Sequence, residues 1–204
     1  MLGMSLSICV LATRQSRREC CFVAQIPGLK ALYDPSDRAN MFTDIAMTTQ
    51  VTADGQAVAV IRDQSGNNHH LTQPIAAARP LYRTNGTLHW LEGDGVDDIL
   101  TCASPVSAYP FTIAAGFEPL SAAEGGIATL YQNDSNYKSL MVNGYLRAID
   151  RASSTQQAAR SNTVVPVKSY AMAQYSSNSV KLETSAYSIT SDRYTQTFGT
   201  PSDF

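Results

Sequence analysis

The chain has 204 residues, 16% of them charged and 44% hydrophobic, and a net charge of −2. That length can bury a substantial core in one all-β domain, while the near-neutral balance leaves no strong field to gather nucleic acid. No apolar run reaches the length of a membrane-spanning helix, and the few, unevenly spaced cysteines argue against a disulfide scaffold and a zinc site.

Residues 1–27 read as an N-terminal extended arm. Residues 6–12 are apolar, but Arg14, Arg17 and Arg18 follow them, the reverse of the order in a secretory leader. The segment therefore reads as a short strand or docking arm, with Ser5, Leu6, Ile8, Val10, Arg14, Arg17 and Arg18 as its partner-binding residues. Basic charge ahead of a mildly acidic body fits attachment to something larger; solvated charge at a terminus is the plainer alternative. Cys9, Cys20, Cys21 and Cys102 are expected as reduced thiols, with a crosslink between chains at Cys20 or Cys21 as the sharper alternative. The sequons at Asn85 and Asn133 carry no weight without a secretory route.

From Gly28 onward the composition changes. Residues 29–37 read as a strand broken at Pro35, after which Ser36 or Asp37 caps one helical turn through Met41 and Phe42. Asp54-Gly55 marks a hairpin turn before a strand containing Val58, Val60 and Ile61. Residues 62–70 form a polar loop. Within it Asp63 and Asn67 are the candidates for a calcium site, beside His69 and His70. A loop that folds through its own side chain to backbone bonds is the favoured reading, and no metal or other cofactor is expected.

The stretch 88–100 holds the only tryptophan, Trp90, and reads as strand, tight turn, strand. Gly93 and Gly95 can supply positive φ, and Asp94, Asp97 and Asp98 can bond the turn backbone. Trp90 is expected between two sheets. Glu92, Asp94 and Asp97 also follow a Glu-x-Asp-x-x-Asp pattern, in which residues two apart on a strand share a face and can act as paired carboxylates. The turn is the preferred reading.

Further strands are expected at 127–131, 140–142, 145–149, 164–167, 170–175 and 180–182, with a hairpin signal at Asn143-Gly144. Short strands with turn chemistry between them argue for a two-sheet antiparallel β-sandwich. Hydrolase triads, nucleophile elbows and phosphate loops find no match, so the chain is expected not to be an enzyme.

Several motifs in one order resemble a known family. They are Tyr33-Asp34-Pro35-Ser36-Asp37, Thr52-Ala53-Asp54-Gly55, residues 61–69, Gln73, Ala78-Arg79-Pro80 and residues 90–100, especially Asp94-Gly95-Val96-Asp97-Asp98-Ile99-Leu100. Together they are similar to the LamG-like, concanavalin-like jelly-roll domains of bacteriophage and prophage structural proteins. The resemblance implies a jelly-roll β-sandwich over 28–204 that lacks the family's last strands. It also implies a virion component, assembled in the host cytoplasm as head decoration, head fibre or tail-associated protein. Its expected partners are other virion proteins and further copies of itself, with neither nucleic acid nor membrane. Sugar binding is the rival, because such sandwiches often present an aromatic and amide-rich edge to carbohydrate. Tyr131, Asn133, Asn136, Tyr137 and Tyr145 are its candidate residues for a surface glycan. A weak or inactive glycoside hydrolase is the third reading. An absent return strand is expected to leave an open sheet edge, for which residues 5–11 are the simplest donor, from the same chain or a neighbouring copy; a sheet that simply ends, its edge guarded by Asp203 and other polar residues, is the equal alternative.

Overall fold

The computed structural model describes residues 4–7, 28–106, 108–119, 125–133, 136–143, 145–152, 155–164, 169–176 and 179–184. Among them the architecture is all-β, and the helical elements are two 3-10 turns, Arg38–Asn40 and Ala76–Ala78. None of the described helices is long and apolar enough to cross a membrane. The chain divides into two compact units, Met1–Pro105 and Val106–Phe204.

The first unit holds six short strands: β1 (Met4–Ser7), β2 (Met41–Phe42), β3 (Val60–Ile61), β4 (Leu71–Thr72), β5 (Leu81–Thr84) and β6 (His89–Gly93). Strands β2, β3 and β4 form a small antiparallel sheet in that order, and β6 pairs antiparallel with both β5 and β1. So little regular strand can hold a fold because long loops converge on one core of Tyr33, Met41, Val51, Val58, Ile61, Tyr82 and Leu91. The expected helical turn is present but brief: Asp37 caps it by accepting from the Ala39 N–H, and the chain is already extended at Met41. Gly55 takes φ +80° in the Asp54-Gly55 turn, and its N–H donates to the Tyr82 carbonyl across the core.

Trp90 departs from expectation. It is only half-buried, because strand alternation turns Leu91 into the core and leaves Trp90 on the face that carries Arg83 and Glu92. Gly93 likewise stays extended as the last residue of β6, and of the two turn glycines only Gly95 adopts positive φ, +75°.

Of the strand expected over residues 5–11, residues 8–11 lie outside the described residues, and the described part begins one residue earlier, at Met4. Met4, Ser5 and Leu6 pair with Gly93, Glu92 and Leu91, so β6 is covered on one side by β1 and on the other by β5. Of the arm residues, Ser5 and Leu6 thus lie in β1, while Ile8, Val10, Arg14, Arg17 and Arg18 lie outside the described residues.

The second unit contains β7 (Phe111–Pro119), β8 (Gly125–Asn133), β9 (Asn136–Asn143), β10 (Tyr145–Ala152), β11 (Thr155–Val164), β12 (Ser169–Ser176) and β13 (Ser179–Thr184). Here β8 to β11 form an antiparallel meander in chain order, while β12 pairs with β7 on one side and β13 on the other. Strands β10 and β11 lie against β13, which gives this unit the two-layer arrangement of a β-sandwich. Of the strand expected at 164–167 only Val164 lies among the described residues, where it closes β11, and the preceding Thr155–Thr163 is a polar run that propensity alone does not mark.

Alternation fixes what fills the space between these layers. On β9 and β10 the residues Leu140, Val142, Leu146 and Ala148 share one face and are almost fully buried. On the other sheet Ala115, Phe117, Ala171, Ala173, Val180 and Leu182 are buried as well.

Candidate functional site

Strands β9 and β10 pair Asn143 with Tyr145, and the register runs without interruption to Lys138 opposite Asp150. Both residues fall in phase with the apolar face of β9 and β10. Each is only 1% exposed. The Lys138 Nζ lies 3.6 Å from Asp150 Oδ1, and the Tyr109 phenol donates a 2.5 Å hydrogen bond to Asp150 Oδ2. The rings of Tyr109, Phe111 and Tyr175 stack in sequence, with centroids 5.6 and 4.8 Å apart. Lys138 Nζ lies over the Tyr109 ring at 5.9 Å.

This is an ion pair taken out of water at one end of an otherwise apolar core, an arrangement whose desolvation cost rivals its attraction. Tyr175 is fully buried, and its hydroxyl has no hydrogen-bond partner among the described residues. Burial, then the negative Asp150 and then Tyr109, push that phenol well above its ordinary range. Sequence reasoning missed Lys138, Asp150, Tyr109 and Tyr175. A signal was present: charged residues stand in step with apolar ones, 138 with 140 and 142, and 150 with 146 and 148.

The acidic motif after β6 has a different geometry from a paired-carboxylate site. Glu92 accepts from Arg83 at 3.1 Å, and Arg83 also reaches Asp54 at 3.4 Å. Asp94 belongs to the turn, where its Oδ1 accepts from the Val96 N–H, while its own N–H donates to Asp98 Oδ2. The carboxylates of Asp94, Asp97 and Asp98 converge within 4.8 Å of one another. Burial raises Asp98, backbone donation from Asp94 opposes that, and the negative Asp94 and Asp97 add to the rise.

Asp63 organises the polar loop. It is buried, and both carboxylate oxygens are used: Oδ1 accepts from the Leu32 and Ser65 N–H groups, Oδ2 from the Ser65 hydroxyl and the His69 N–H. Burial pushes this carboxyl up, but those donors outweigh it and hold it below the usual carboxylate range. Asn67 turns its amide nitrogen toward the carbonyls of Leu29 and Lys30. Such a donor set does not fit the calcium reading, since N–H groups stand where a cation would sit. Cys102 is a free thiol among the described residues, 3.6 Å from the Tyr33 hydroxyl, which also meets the His69 carbonyl at 2.5 Å.

The five proposed sugar-binding residues do not form one cluster. Tyr131 stands opposite Tyr137, and Asn133 opposite Asn136, at one end of β8 and β9. Tyr145 lies at the other end of the sheet, opposite Asn143, which at the usual strand rise is about 20 Å along β9 from Tyr137. The Arg151 guanidinium covers the Tyr137 ring at 5.9 Å. Compared with known proteins, the chain matches no family model, no curated protein and no solved structure.

Proposed function

We propose that the protein is a non-enzymatic structural component of a bacteriophage particle, a head decoration, head fibre or tail-associated protein built on a jelly-roll, concanavalin-like sandwich. The phage setting rests on the ordered motifs between Tyr33 and Leu100. The observation that carries the structural reading is the Arg83–Glu92 ion pair, which engages one of the three carboxylates of the glycosidase-like pattern. Asp94 and Asp63 are likewise engaged by backbone N–H groups. Polar side chains that hold loops in place suit a part whose work is to present surfaces to other virion proteins and to further copies of itself.

The test is detection of this chain in purified particles, by peptide mass fingerprint and by antibody labelling in electron micrographs. Labelling at a fixed place on the particle supports the reading; a chain found only in infected-cell lysate overturns it. The register partners Tyr131–Tyr137 and Asn133–Asn136, neighbours at one end of β8 and β9, favour carbohydrate binding as the second reading. A glycan array on the isolated chain, with Tyr137→Ala as control, distinguishes the two.

A further inference from the structure

We propose that Lys138 and Asp150 condense to an intramolecular isopeptide bond that staples β9 to β10. Three observations converge on it. The two side chains face each other directly across neighbouring strands, with Nζ already 3.6 Å from a carboxylate oxygen. Both are buried to 1% exposure, and the rings of Tyr109, Phe111 and Tyr175 form a stacked run beside them. The other carboxylate oxygen, Asp150 Oδ2, accepts a hydrogen bond from the Tyr109 phenol.

The chemistry needs no external reagent. A proton passes from the Lys138 ammonium to the Asp150 carboxylate, giving the amine and acid between which an amide can form. The Nζ lone pair then attacks Cγ, forming the N–C bond. As the Cγ–Oδ2 bond breaks, Tyr109 delivers its proton to the departing oxygen and regains one from the nitrogen. One water leaves, and no atom changes oxidation state. Amide formation is uphill in dilute water, but two groups held in contact react as though at very high concentration, and a dry core offers little water for the reverse step. Tyr109 touches a reacting atom and is the proton donor. Phe111 and Tyr175 act by excluding solvent.

The experiment is the intact mass of the purified full-length chain, measured after denaturation, followed by proteolysis. The expected result is a mass lower than the sequence mass by one water. It is accompanied by a branched peptide joining the segments that contain Lys138 and Asp150, and by no tryptic cleavage after Lys138. Lys138→Arg should restore the full mass, and Asp150→Asn should lose ammonia in place of water. Tyr109→Phe should slow the mass loss about a hundredfold, as expected for removal of one general acid. A native chain at full sequence mass, cleaved normally after Lys138, overturns the proposal. So does a water loss that maps to other residues. If Lys138→Arg fails to fold, the branched peptide from the native chain still decides the matter.

Discussion

The Tyr82 hydroxyl and the Nδ1 of His89 lie 2.6 Å apart, joining β5 to β6 through a side-chain contact in addition to the backbone ladder. Their rings stack at 5.9 Å, and Tyr82 is fully buried. In a neutral imidazole Nδ1 either accepts from the phenol or donates to it, according to the tautomer. Burial favours the same neutral form and lowers His89 from its ordinary value; the positive Arg38 adds to the shift and Asp34 opposes it.

A pH dependence follows with a definite sign. With the folded pKa below the unfolded value of about 6.5, the unfolded chain takes up the proton first as pH falls. Stability from this group is complete above the unfolded value and declines through the folded one. Chemical denaturation at a series of pH values should show this decline, and His89→Gln should flatten it. An unchanged slope in that variant would remove His89 as the cause.

Asp63→Ala should open the loop that ties residues 63–69 to Leu32. Three backbone N–H groups lose their acceptor, those of Leu32, Ser65 and His69, and the expected loss is about 1–3 kcal/mol for unsatisfied buried donors. Because its folded pKa is lowered, the stability it supplies is present above the ordinary carboxylate range and is lost as pH falls through the folded value. Urea midpoints of the two proteins, at neutral and at acid pH, check both statements: the difference should shrink in acid.

The unequal burial of neighbouring residues on β6 predicts an inversion of size and cost. Leu91 is only 4% exposed and belongs to the core, so Leu91→Ala should lose about 2–5 kcal/mol. Trp90→Ala, although it removes far more atoms, should lose less. Thermal melts of the pair measure the order directly, and a greater loss at Trp90 would contradict the assigned strand facing.

A chain that begins at Gly28 lacks β1 and leaves one side of β6 with unpaired backbone donors and acceptors. Exposed strand edges of this kind recruit other strands. The shortened chain should therefore melt at a lower temperature and self-associate, as seen by light scattering over a concentration series. Unaltered melting and a monodisperse monomer would mean that β1 contributes nothing to the first unit.

What was legible in the sequence follows the range of the interactions. The Asp54-Gly55 turn and most of the later strands are written in adjacent residues and are found where local chemistry puts them, and β9 and β10 pair on either side of residue 144. The charged cluster was also within reach, since Lys138 and Asp150 stand equidistant from Gly144 and a tight hairpin there makes them partners. Trp90 shows the opposite case. Its facing depends on which side of β6 meets the core of Tyr33, Met41 and Val58, and no nearby residue encodes that choice. Nor does local sequence reveal that Asp63 caps the backbone at Leu32, because that bond exists only once distant loops have met.

The meander of β8 to β11 also bears on how quickly the second unit can acquire its structure. Each of its strands pairs with the next one along the chain, so only short loops need close, whereas β7 and β12 must find each other across all four. Loop-closure entropy makes the first kind of pairing early and the second late. The meander, with Lys138 already facing Asp150, is thus expected to gain protection from hydrogen exchange before the sheet of β7, β12 and β13 closes over it.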